Sequence, residues 1–255
     1  MAEWRLGRGW SNDELDVRLE RARGFERNFD AAGGLTAEHG WNRHFSRAVI
    51  AREGPGPPEP DGPFERARPL LEGYAFSDPR IVKAHFDAAE PLLGRVMLLE
   101  ARALGLHYLG AALVAMLRDE RNGARSEHGF RYDTLATHFE RGREWFVVGK
   151  DHATGDVTFT IDAVWRLGDL PNFWSAIGFR LLVPRYQRAW HRLAHLRMRA
   201  MLGSADLEML PRGTRLVHQG PPLPVAPVQE TASGPPPAPI TAEKETPAHH
   251  ELEAS

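Results

Sequence analysis

The stretch Gly129 to Phe146, GFRYDTLATHFERGREWF, gathers Tyr132, Asp133, Thr134, His138, Glu140 and Glu144. A histidine near carboxylates can serve as a general acid or base, because a carboxylate fixes the imidazole tautomer and stabilises the imidazolium. On that reading His138 is the candidate catalytic group, and Glu140 or Glu144 orients it. The same side chains could instead hold a carbonyl or hydroxyl of a ligand. On spacing alone, a loop between two strands whose polar side chains satisfy one another is the simpler account.

A second pattern is HRLAH, His191 to His195. It places two imidazoles four apart on one helical face, the ligand spacing of the zinc-protease helix. That motif's general-base Glu would fall at position 192, where this chain has Arg192. A guanidinium beside a dication is unfavourable, so ordinary half-buried histidines are expected, with no metal and no cofactor. No glycine-rich phosphate loop has a strand before it and a helix after it. No GxSxG elbow and no Ser/His/Asp set stands out.

Composition narrows the classes further. The chain has 255 residues, 42% hydrophobic and 26% charged, with formal net charge −2. That is ordinary for a soluble globular protein and gives no field toward nucleic acid or anionic lipid. Zero cysteines remove disulfides, thiolate metal sites and cysteine nucleophiles. The first residues, MAEWRLGRGWSNDELD, have no apolar signal core. The most apolar stretch, Leu104 to Leu117, falls short of the roughly twenty residues that span a bilayer. A cytoplasmic location without membrane insertion is expected. The arginines of the last helix are read as a solvated face, not as phosphate contacts.

Elements must position these groups. Ser11 and Glu14 form a capping box. It opens a helix carrying Leu15, Val17, Leu19 and Phe25 and ending near Asn28. NRHFSRAVIARE reads as a strand, and Glu53 to Pro63 as a loop. A short helix is expected over Phe64 to Leu71 behind Pro63, and a strand over Arg80 to Phe86. Strands follow over Arg95–Ala103, Leu106–Arg118, Phe130–Leu135, Glu144–Val148 and Val157–Leu167. In the last, Val157, Phe159, Ile161, Ala163 and Trp165 alternate with a mostly polar set, so one face enters a core. Asn172 can cap a helical region that Pro184 kinks or restarts. From there Tyr186, Ala189, Trp190, Leu193 and Leu196 recur at helical spacing. The plan is α+β: a curved antiparallel sheet gripping a long C-terminal helix. From Gly220 the chain is rich in Pro, Ala, Thr and Glu and is expected to be disordered.

Gly129, Phe130, Tyr132, Thr134, Leu135, His138, Glu140, Gly142 and Glu144 carry a resemblance to a bacterial and plant family, domain of unknown function 1990 (DUF1990). The family pattern is Gly-Phe-x-Tyr-Gly-Thr-Leu, then His, then Gly-Glu-Glu before an aromatic-containing strand. This chain departs from it at Asp133, usually Gly, and at Arg143, usually Glu. Gln187 on the following helix also looks like the family. The resemblance covers about Trp41 to Met201. It implies a START-like, helix-grip fold with a cavity between sheet and helix, in a superfamily whose members bind lipids, sterols or polyketides and include a few cyclases and hydratases. It supplies no established catalytic residue.

The expected organisation is an N-terminal helical extension over 1–40, a DUF1990-like helix-grip domain over 41–203 and an extension over 204–255. The first functional reading is a protein that binds a hydrophobic small molecule between the sheet and the helix from about Pro184 to Met201. Tyr132, Thr134, His138, Trp145, Trp165 and Tyr186 are its candidate ligand-binding residues. The alternatives are an enzyme of the same fold using His138 in acid–base chemistry, and a non-catalytic scaffold whose proline-rich tail recruits a partner protein.

Overall fold

The computed structural model describes residues 3–103, 105–168 and 173–203, with side chains in the last segment from Arg185 onward. Asn172 and the proline-rich tail from Gly220 lie outside the described residues.

The chain opens with a strand, β1 (Glu3–Leu6), before the expected first helix. β1 pairs with Leu106–Leu109 of a later strand, a partner that four local residues do not announce. Helix α1 (Asn12–Ala22) starts where the capping box places it: Ser11 Oγ accepts from the Glu14 amide, and the Glu14 carboxylate accepts from the Ser11 amide. It stops at Ala22, short of Asn28, because Gly24 follows and the chain turns to pair Arg27 with Leu135. Leu15, Leu19 and Ala22 form its buried stripe, whereas Val17 points to solvent.

Strand β2 (Asn42–Arg52) and helix α2 (Pro63–Glu72) follow, the helix with proline in its first turn. Then come β3 (Val82–His85), β4 (Val96–Ala103), β5 (Leu106–Arg121), β6 (Arg125–Thr134), β7 (Glu140–Asp151) and β8 (Asp156–Leu167). Gly155 takes φ +75° in the turn between β7 and β8, a conformation glycine adopts without a Cβ clash. Helix α3 runs Phe173–Leu202 as one element that spans Pro184.

The sheet is antiparallel, with order β2-β8-β7-β6-β5-β4-β3. It curls so that one face holds α2 and α3. Val157, Phe159 and Ile161 enter this inner core, as their alternation requires. Trp190, Ala194, Met198 and Leu202 of α3 join them, with Phe76 and Phe146 at the centre. The sheet–helix space expected over Pro184 to Met201 is therefore filled by side chains along this stripe. The other face carries a smaller core, in which Trp10, Leu15 and Leu19 cover Val96, Leu98, Leu109 and Ala111.

The segment Gly129 to Phe146 is mostly strand. β6 and β7 pair directly, Tyr132 opposite Glu144, and only residues 135–139 connect them. The expected inter-strand loop is replaced by a hairpin inside the sheet, because Arg141 to Phe146 pair with β8 on their other side.

Candidate functional site

Alternation on a strand sorts the polar residues of this hairpin. Glu140, Glu144 and Phe146 share one face of β7, and Phe146 belongs to the inner core. Arg143 and Trp145 take the opposite face. Helix α3 crosses above, and its four-residue spacing matches the strand: Gln187 Nε2 donates to Glu140 Oε1 at 3.1 Å, and His191 Nε2 lies 3.4 Å from Glu144 Oε1.

Glu144 is buried. Its Oε2 accepts a short hydrogen bond from the Tyr132 hydroxyl, and Tyr74 is buried beside Tyr132. Burial, reinforced by the negative charge of Glu144, holds both phenols well above their ordinary pKa, so both stay protonated donors. Glu140 is half-buried and four residues from Glu144. Burial first, then the Glu144 charge, pushes its carboxyl up to about 8. At neutral pH Glu140 holds its proton.

On the far side of His191 sits Ser46 of β2. Its Oγ lies 2.8 Å from His191 Nδ1 and 2.8 Å from His195 Nε2. The ring of His44 stacks on His191 with centroids 4.2 Å apart. Burial lowers His44 to about 4 and His195 to about 3, and the neighbouring His191 adds to each. The two histidines of HRLAH converge on a serine hydroxyl. Among the described residues no group of three His, Asp or Glu could hold a metal ion.

The other expected site residues are dispersed. Trp165 shares the inner face, pairing across from Gly142 and packing with Ala163 and Leu167. Thr134 braces the hairpin: its hydroxyl donates to Asn28 Oδ1 at 2.6 Å and accepts from the Gly142 amide at 2.8 Å. Trp145 lies on the outer face with the guanidinium groups of Arg118 and Arg131 at 5.3 and 5.8 Å. Tyr186 reaches the opposite end of the sheet, where its hydroxyl donates to the carbonyls of Ile81 and Arg102. The structure does not bring these last three to the Tyr132–Glu144 group.

His138 has a partner other than the one expected. Its Nδ1 lies 3.1 Å from both the backbone amide and the carbonyl oxygen of Glu140, so its partner is the backbone and not a carboxylate side chain. The ring is buried and stacked on Phe139, and burial lowers its pKa to about 4. Gly110 makes room for it, since a Cβ there would stand 2.5 Å from the imidazole. With Nδ1 engaged and the ring neutral, His138 pins the β6–β7 connection.

Ser46, His44, His191, His195 and Tyr74 are absent from the site expected on sequence. The i, i+4 spacing of HRLAH and the alternation of His44 and Ser46 on β2 put these groups on facing surfaces. The sequence does not show that the two surfaces meet.

A curled antiparallel sheet closed over a C-terminal helix, with a polar chain buried between them, defines a helix-grip protein. The chain belongs to the DUF1990 family, a domain of unknown function whose model matches residues 28–198. No curated protein matches it. Similar solved structures include Ara h 8.0201 (TM-score 0.37, 9% identity, 64% of this chain and 97% of that chain). TTHA0849 from Thermus thermophilus is similar at TM-score 0.39 and 14% identity, over 64% of this chain and 96% of that one. Major latex-like protein 151 from Panax ginseng gives 0.34 and 14%, over 59% and 97%. Among the described residues no helix is long and apolar enough to cross a membrane.

Proposed function

We propose that this is a cytoplasmic protein that binds a small molecule with an apolar body and a polar end, taken up against the inner sheet face beside Glu140, ahead of the packed Trp190 to Leu202 stripe of α3. The observation that carries the reading is the placement of Glu140, Glu144, Tyr132 and Tyr74 within an aromatic core. Burying ionisable groups there costs stability, whereas apolar residues of similar size would pack without that cost. A protonated Glu140 can donate to a ligand carbonyl or hydroxyl, and Gln187 steadies it from α3. Trp165, on the same sheet face opposite Gly142, suits an apolar body.

Titration with the neutral apolar dye Nile red tests this, read by its emission and by energy transfer from tryptophan. Saturable binding of one dye per chain, displaced by competing apolar compounds, is the expected result. Emission that climbs without saturation, as on a generally sticky surface, would overturn the reading.

A further inference from the structure

We propose that Ser46, His191 and Glu144 form a nucleophilic triad that cleaves esters with an apolar acyl group. This goes beyond ligand binding and shares only Glu144 with it.

The proton positions follow from one unsatisfied atom. His195 Nδ1 is buried without a partner, while Nε2 faces Ser46 Oγ at 2.8 Å. A neutral imidazole carries one proton, and an orphaned buried N–H costs more than a bare nitrogen. The proton of His195 therefore sits on Nε2 and is donated to Ser46. The Ser46 hydroxyl must then donate to His191 Nδ1. His191 keeps its own proton on Nε2, on the side of the Glu144 carboxylate, 3.4 Å away in an ion-pair contact. Tyr132 fixes the other oxygen of that carboxylate. The result is a hydroxyl, a base holding its lone pair toward it, and an anion behind the base, which is how a serine nucleophile is recognised. The ring nitrogens are used in the opposite sense to the familiar serine triads. Both belong to one conjugated ring, so the proton relay is equivalent.

His195 adds an N–H beside the Ser46 oxygen that stabilises charge on it. Ser46 is only half-buried and stands on β2, the strand at the edge of the sheet, so an ester can approach from that edge. Phe159, whose ring lies 5.3 Å from that of His195, and Ala48 supply an apolar flank. In the step, Ser46 Oγ bonds to the acyl carbon while its proton passes to His191 Nδ1. The ester C–O bond breaks, and the departing alkoxide takes that proton. Water then attacks the acyl-serine by the same relay, releasing the carboxylic acid and restoring the hydroxyl.

The test uses the full chain and an alkyl fluorophosphonate, whose phosphorus the serine attacks with loss of fluoride. Intact-mass and peptide mapping are expected to show one adduct, on Ser46. Its rate is expected to fall about a hundredfold in His191→Ala. Ser46→Ala is expected to give no adduct while still binding Nile red, which shows that it folds. Absence of an adduct on Ser46 in the wild-type chain overturns the triad, and so does an unchanged rate in His191→Ala. Labelling without saturable dye binding would keep the triad and remove the ligand reading. Dye binding without labelling would do the reverse.

Discussion

Replacing Glu140 with Gln is expected to stabilise the protein, and to do so increasingly as pH rises. The Glu140 carboxyl titrates at 4.5 in the unfolded chain and at about 8 in the fold. Its folded pKa is raised, so its contribution is fully present below 4.5 and is lost as pH rises through about 8. Across that window the unfolded chain has released a proton that the fold still holds, and stability falls with increasing pH. Each unit of displacement corresponds to about 1.4 kcal/mol. Because Glu140 is only half-buried, solvent shares the burden, and a gain of about 2–4 kcal/mol is expected at the alkaline end. Gln has no charge to bury, and its carbonyl can still accept from Gln187. Urea unfolding of wild type and Glu140→Gln at about pH 5 and about pH 9 makes the comparison. The midpoints are expected nearly to coincide at the first pH and to separate at the second. A variant equally destabilised at both would show that Glu140 is packing material. A stabilised variant that also binds Nile red more weakly would show stability given up for a function.

The second large effect lies on the acid side. His138 and His44 are depressed to about 4 and His195 to about 3, in each case first by burial. Their folded pKa values lie below the ordinary 6.5, so the fold keeps them neutral where the unfolded chain is protonated. Their contribution is present above 6.5 and is lost as pH falls toward 3 to 4. Three such groups give a loss of several kcal/mol across that window, at about 1.4 kcal/mol per unit, with His44 giving least because it is only partly buried. His195 faces Arg199 as well as Ser46, and the guanidinium charge opposes its protonation. Stability measured by urea unfolding from about pH 7 to about pH 4 is expected to fall with a slope approaching three protons taken up on unfolding. His195→Gln is expected to reduce that slope by nearly one proton. A profile flat to about pH 5 would show that the histidines are solvated and that the buried chain through Ser46 does not form.

The fold was legible where local physics decides it. The Ser11–Glu14 capping box, Pro63 at a helix start and the alternation of Val157 to Trp165 each specify an element whatever surrounds it. β1 was not legible, because Glu3 to Leu6 are a strand only through β5. The length of β7 was hidden for a similar reason: Glu140 to Arg143 are mostly polar and become strand by pairing with β8. Part of the candidate site was readable, since Tyr132 and Glu144 lie in one motif and oppose each other in register. Period-two alternation also separates Trp145 from Glu144, adjacent residues that point to opposite faces. The rest depends on contacts between residues tens to more than a hundred positions apart. His191 and His195 advertise a shared helical face, but the group they share, Ser46, is 145 residues before the first of them. Arg192 argues against a metal between them, and the structure supplies a hydroxyl there, which no local spacing could name.

Native mass spectrometry of the full chain, purified gently from its own host and followed by solvent extraction, tests the ligand-binding claim most directly. The expected result is a co-purifying apolar compound, bound one per chain and lost on denaturation. A clean unliganded mass, together with Nile red emission that never saturates, would contradict the claim.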